Sequence, residues 1–309
     1  MKGLRIFLGM VVGNASGALL CVLAVLLEKH VKLDAGSNQF AMIAYPTLAS
    51  IPCMIGFVAS YVWKPLQLTV GRTALYSLYC VLLAVAGAFI AFHEGAVCLI
   101  IVSPLLYVFV FLGASMGRIW FRVDRNKLNL CMFPLLVLVA VGEPVIRVDQ
   151  TAVETDEILI HAPPQKVWPH VTSFPKITDE PRFWLFRVGL PMPMATTSKG
   201  DYVGADRRCI FNHGAVFREK VAEIVPNKKL TFDIVEPPSD PELIGHLTAQ
   251  RGQFELRDNH DGTTTLIGRT WYSLHVRPLW YFDWWTQTIF RAVHLRVMEN
   301  VREMSEKGA

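Results

Sequence analysis

Charge is scarce in the first half of this chain, and the stretches that lack it are long. Leu4–Leu27, Phe40–Trp63, Ala74–Phe92 and Ala96–Met116 carry almost no Asp, Glu, Lys or Arg. As helices, runs of about 20 residues cross a hydrocarbon core roughly 30 Å thick, so each is expected to span a membrane. A fifth run, Leu128–Val145, is weaker, with an uninterrupted apolar part of about 15 residues and Pro134 inside it. We take it as a span because Asn129 and Glu143 lie near its ends, where polar groups reach the interface. That gives five spans, or four if the segment is re-entrant or interfacial. The first run is too long for a signal peptide and lacks a small-x-small cleavage site. No span has an ionisable residue near its centre, which argues against a proton relay, a channel or a coupled transporter and leaves an anchor.

Other absences narrow the function. Cys21, Cys53, Cys80, Cys98 and Cys131 fall inside apolar runs, where a thiol acts as a small hydrophobe, and Cys209 alone lies outside them. The second half therefore cannot hold an internal disulfide. It has no GxSxG, HExxH, CxxC or phosphate loop. His161, His170, His213, His246, His260, His275 and His294 are dispersed, so no metal site and no cofactor are expected. The net charge of +4 does not point to nucleic acid: residues 1–149 hold 11 Lys and Arg against 6 Asp and Glu, whereas residues 150–309 hold 19 against 20. The basic excess belongs to the segments between spans. Lys2 and Arg5, Lys64 and Arg72, and Arg118, Arg122, Arg125 and Lys127 would share one side of the bilayer, which the positive-inside rule makes cytoplasmic. The expected location is a bacterial inner or plasma membrane with the N-terminus in the cytoplasm. The second half is then extracytoplasmic if Leu128–Val145 spans, and cytoplasmic if it does not.

Gly9, Gly13 and Gly17 recur every fourth residue, and Gly113 with Gly117 repeats the spacing. Such bare faces let helices pack closely, within the bundle or, as the alternative, against a second copy.

After about residue 150 the pattern changes to short alternating segments. Val153–Ile160 reads as a strand, and a helix is expected from Pro164, where the fixed φ suits a first turn. Phe174–Met194 reads as irregular with one helical turn. Strands are expected at Arg207–Phe211, Ala215–Ile224, Leu230–Val235, Leu247–Arg257 and Thr263–Val276, separated by Asn212-His213-Gly214, Pro226-Asn227-Lys228 and Asn259–Gly262. A long helix closes the chain from Asp283, a plausible cap, to Glu306, with Phe290, Val293, Val297, Val301 and Met304 along one face. The fold class is thus an all-α transmembrane domain, 1–149, followed by an α+β domain, 150–309, in which a curved antiparallel sheet grips a long helix.

The opening Val153-Glu154, then Glu157-Ile158-Leu159-Ile160-His161-Ala162-Pro163-Pro164-Gln165-Lys166-Val167-Trp168, resembles the start of the START/Bet v 1-like helix-grip superfamily (SRPBCC), and the order of elements after it is similar across residues 152–307. Members include lipid and sterol carriers, polyketide cyclases and aromatases, and ring-hydroxylase subunits. The resemblance implies a hydrophobic cavity between helix and sheet.

On that basis Phe217, Val221, Phe232, Phe254, Tyr272, Phe290, Val293, His294 and Val297 are candidate ligand contacts. Glu219, Tyr272 and His294 are weak candidates for acid–base chemistry. A solvated edge glutamate and a satisfied core histidine are the plainer readings of Glu219 and His294. Arg269 is the partner considered for Glu219 should it be buried. The aromatic segment Leu279–Trp285 suits either packing or a docking lip at a membrane interface. The leading reading is a membrane-tethered module that binds or transfers an apolar ligand such as a lipid, an isoprenoid or a quinone, with membrane lipids as its other partner and no enzymatic activity. The alternatives are a cyclase/dehydratase-type enzyme acting on a polyketide-like substrate and a membrane-bound interaction or sensor domain.

Overall fold

The computed structural model describes residues 2–30, 39–92, 95–122, 151–238, 247–276 and 278–307. The chain divides into two compact units, Met1–Val148 and Asp149–Ala309.

The first unit consists, among the described residues, of helices α1 (Lys2–His30), α2 (Gln39–Trp63), α3 (Val70–Phe92) and α4 (Ala96–Arg122), with a 3₁₀ turn after α2. Within the described residues three stretches are long and apolar enough to cross a membrane: Lys2–Leu23, Val70–Ile90 and Ala96–Phe121. The expected count of five is therefore not supported. Phe40–Trp63 does lie in a 25-residue helix, and Leu128–Val145 lies outside the described residues.

The glycine faces are filled from within the chain. A Cβ on Gly9 would meet the Trp63 indole, one on Gly13 would lie 2.7 Å from the Ile55 carbonyl oxygen, and one on Gly17 2.6 Å from the Ile55 side chain. Gly113 and Gly117 likewise lie against Cys53 and Ser60. Every one of these neighbours belongs to α2, so the face considered for a second copy is taken up by intramolecular packing. Large apolar side chains instead point outward, with Phe7 61%, Leu19 60% and Ile90 75% exposed. That is the inverse of a water-soluble bundle, whose apolar stripe faces its core.

The second unit is a curled seven-stranded sheet, antiparallel throughout, in the order β1-β7-β6-β5-β4-β3-β2. β1 (Thr151–Ile160) leads to two short helices, α5 (Pro164–Thr172) and α6 (Trp184–Val188), before β2 (Pro193–Ser198). The meander β3 (Asp206–Phe211), β4 (Val216–Val225), β5 (Lys229–Glu236), β6 (Leu247–Asp258) and β7 (Thr264–Leu274) follows, and α7 (Leu279–Glu306) closes the unit. Two elements differ from expectation. The edge strand β2 lies in a Pro-rich stretch whose short run of Thr and Ser carries little apolar alternation. The long helix starts at Leu279 after Pro278, four residues before Asp283, because the aromatic segment is helical and Pro278 supplies the extended cap. Asp283 is therefore inside α7, where Tyr272 Oη–H donates to its Oδ1 at 2.7 Å.

The core is asymmetric. At one end Val167, Trp168 and Val171 of α5 pack with Leu230, Leu256, Leu266, Met298 and Val301 into a closed cluster. Toward the other end of α7 the sheet and helix separate. Among the described residues, no buried side chain fills the gap.

Candidate functional site

The gap is a cavity of about 480 Å³ between the concave face of the sheet and α7. Its floor carries Phe217, Phe232, Ile234 and Phe254, and its roof carries Ile289, Phe290, Val293 and Val297. Period-two alternation sends these strand residues to one face, and spacings of three and four place the helical ones opposite. The volume lies within the ordinary range for small-molecule sites, about 300–1,000 Å³.

Two groups of buried polar side chains stand out in the otherwise largely apolar wall. The first is Arg207 with Glu219, directly opposite each other on β3 and β4. Their side chains are 2% and 5% exposed, and Arg207 Nη1–H donates to Glu219 Oε2. The guanidinium also stacks 4.3 Å from the Phe232 ring centroid, while its Nε–H has no partner among the described residues. Burial raises the pKa of Glu219 above the usual carboxylate range, and the charge and hydrogen bond of Arg207 only partly offset it. Cys209, also on the wall, is pushed up to about 12 by burial, so it remains a thiol rather than a nucleophilic thiolate.

The second position spans three elements. His294 of α7 places Nδ1 2.9 Å from Asp156 Oδ2 of β1, and Nε2 2.7 Å from Thr270 Oγ1 of β7. Arg291 Nε lies 3.6 Å from the other oxygen of Asp156. Gly268 of β7 lies beneath the helix at this crossing. A Cβ there would stand 3.0 Å from Met298 Sδ and 3.7 Å from His294 Cγ. Thr270 and His294 line the cavity, and Asp156 is buried behind them.

Of the residues singled out in the sequence, Phe217, Glu219, Phe232, Phe254, Phe290, Val293, His294 and Val297 face the cavity. Val221 and Tyr272 do not. Val221 shares the inner face but lies at the closed end, among the α5 contacts. Tyr272 is fully buried beneath Phe290 with its hydroxyl donated to Asp283, and burial together with that bond raises its pKa. Glu219 is not a solvated edge residue, and its partner is Arg207. Arg269, on the opposite face by alternation, bonds Gln253 and Glu255 instead, at 2.7 and 2.6 Å. The sequence reading missed Arg207, Asp156 and Thr270 as site residues. Asp156 was detectable, since it stands two and four residues before Ile158 and Ile160 on the buried face of β1. Among the described residues, no group of three or more His, Cys, Asp or Glu is placed to hold a metal ion.

No family model matches the chain, and no curated protein matches it. Solved structures similar to its C-terminal half are helix-grip proteins of the Bet v 1-like kind. Norcoclaurine synthase from Thalictrum flavum shares 13% identity and a TM-score of 0.36 over 52% of this chain and 98% of its own. A protein from Mesorhizobium loti shares 20% and 0.34 over 51% and 99%, and one from Nitrosospira multiformis 18% and 0.32 over 49% and 94%. Similarity at this level carries no activity or substrate across to this chain.

Proposed function

We propose that this chain is a membrane-anchored module that binds a small apolar molecule, of the lipid, isoprenoid or quinone type, in the cavity beneath α7. The observation that carries the reading is the cavity itself, about 480 Å³ of apolar-walled space where a folded domain would ordinarily be close-packed. Each methylene of a bound chain moved out of water would contribute about 0.8 kcal/mol. The outward-facing apolar helices support the anchor, and Lys2, Arg5, Lys64, Arg72 and Arg118 support a cytoplasmic N-terminus. An acid–base enzyme of the cyclase/dehydratase kind is the second reading, favoured by Glu219 and His294 facing one cavity. Each of these side chains is already held by protein partners, which ranks it second.

The test fills the space. Val293→Trp in the full-length protein in nanodiscs is expected to weaken binding of a fluorescent isoprenoid analogue at least tenfold, with the unfolding transition retained, because the added ring takes ligand volume rather than straining packed core. Equal binding by variant and parent, or no apolar probe held by the parent, would overturn the reading.

A further inference from the structure

The hydrogen-bond chain Asp156–His294–Thr270 bears on what kind of ligand the cavity takes. A carboxylate can only accept, so the hydrogen between Asp156 Oδ2 and His294 Nδ1, 2.9 Å apart, belongs to the imidazole. When the ring carries that hydrogen alone, Nε2 presents a lone pair. The 2.7 Å contact from Nε2 to Thr270 Oγ1 is then made with the threonine's own hydrogen. In that state Thr270 has spent its single hydroxyl proton inside the wall. What it offers the cavity is two lone pairs and no donor.

We propose that Thr270 is a specificity-determining acceptor, and that the preferred ligand carries a hydroxyl group, as an alcohol or phenol, at the position facing it. This rests on the cavity reading above and narrows it. A ketone, ester or carboxylate there would set acceptor against acceptor. Neighbouring wall residues Phe254 and Phe290 offer nothing to relieve that contact. The imidazole cannot turn away to free the proton, because Asp156 holds one nitrogen, the Phe290 ring stacks at 6.4 Å, and Gly268 brings the sheet beneath it. The other polar position has the opposite character: the unpartnered Nε–H of Arg207 is a donor. A ligand read there would be selected for an acceptor, so the two positions make distinguishable demands.

The experiment uses full-length protein in nanodiscs carrying a bound pyrene-labelled alkane, which dodecane, 1-dodecanol and 2-dodecanone displace after correction for their partition into the lipid. The parent should favour 1-dodecanol over 2-dodecanone by about tenfold, the scale of one net hydrogen bond. Thr270→Val, isosteric and suited to a strand, should abolish that preference while dodecane still displaces the label, and Thr270→Ser should restore it. Thr270→Ala replaces the valine variant should that one fail to fold. Equal displacement by alcohol and ketone in the parent, or a preference unchanged by losing the hydroxyl, overturns the assignment of Thr270 and leaves the cavity reading in place. A ketone preferred by parent and variant alike transfers selection to Arg207 and also overturns it. Failure of the parent to hold the pyrene alkane removes the cavity reading itself.

Discussion

Glu219 and Arg207 are a pair almost fully buried in the cavity wall, and the balance of burial against attraction decides how they respond to pH. Burial is the larger effect on the carboxyl, so the folded state holds its proton more tightly than the unfolded chain does. A raised carboxyl pKa contributes stability that is fully present below the unfolded value, near 4.5, and is lost as pH rises through the folded value. Glu219→Gln keeps an acceptor for Arg207 but cannot titrate. Chemical denaturation at stepped pH is therefore expected to show the parent losing stability relative to Glu219→Gln from about pH 4.5 upward. A constant difference across that window would mean that Arg207 outweighs burial.

At the scale of elements, the seam between α7 and β7 determines the site. Gly268 removes a side chain at the crossing, which lets Met298 close the core on one side while His294 reaches Thr270 on the other. Gly268→Val would press a branched side chain on Met298, which can bend, and on the His294 ring, which is held at both nitrogens. A loss of about 1–3 kcal/mol is expected from such overpacking, read by chemical denaturation, together with weaker binding of 1-dodecanol. Unchanged stability would show that the seam has slack. The closed and open ends of the sheet differ for a similar reason: α5 supplies Val167, Trp168 and Val171 at one end, and no helix among the described residues supplies an equivalent wedge at the other.

For the whole molecule, the two compact units have opposite surface chemistry. Among the described residues, α1, α3 and α4 turn many large apolar side chains outward, whereas the sheet and α7 gather a continuous buried core and leave a few, such as Leu159, Trp280 and Trp284, exposed. The second unit has a buried cluster and an ordinary number of residues for a domain, so residues 149–309 expressed alone are expected to be soluble and to unfold in one cooperative transition. Insolubility, or a broad non-cooperative transition in urea, would mean that the second unit depends on the first.

Local pattern was enough to read much of this molecule. Uncharged runs of about 20 residues mark helices suited to a bilayer because hydrocarbon thickness sets the length. Alternation with turn residues likewise marked β1 and β3 to β7, since side-chain direction in a strand depends only on the neighbouring residues. Where tertiary context outweighed local preference, the reading failed: β2 exists as an edge because β3 pairs with it, and α7 begins at Leu279 after extended Pro278, which leaves Asp283 inside the helix to accept from Tyr272 instead of capping. The site divides in the same way. Period and spacing put Phe217, Phe232, Phe254, Phe290, Val293 and Val297 on facing surfaces, yet which ends of those surfaces touch and which stay apart depends on where α5 packs. The choice of Arg207 for Glu219, and of Asp156 and Thr270 for His294, follows from strand register and from one glycine under a helix. These bring together residues up to 138 positions apart in the chain, a separation that no local pattern encodes.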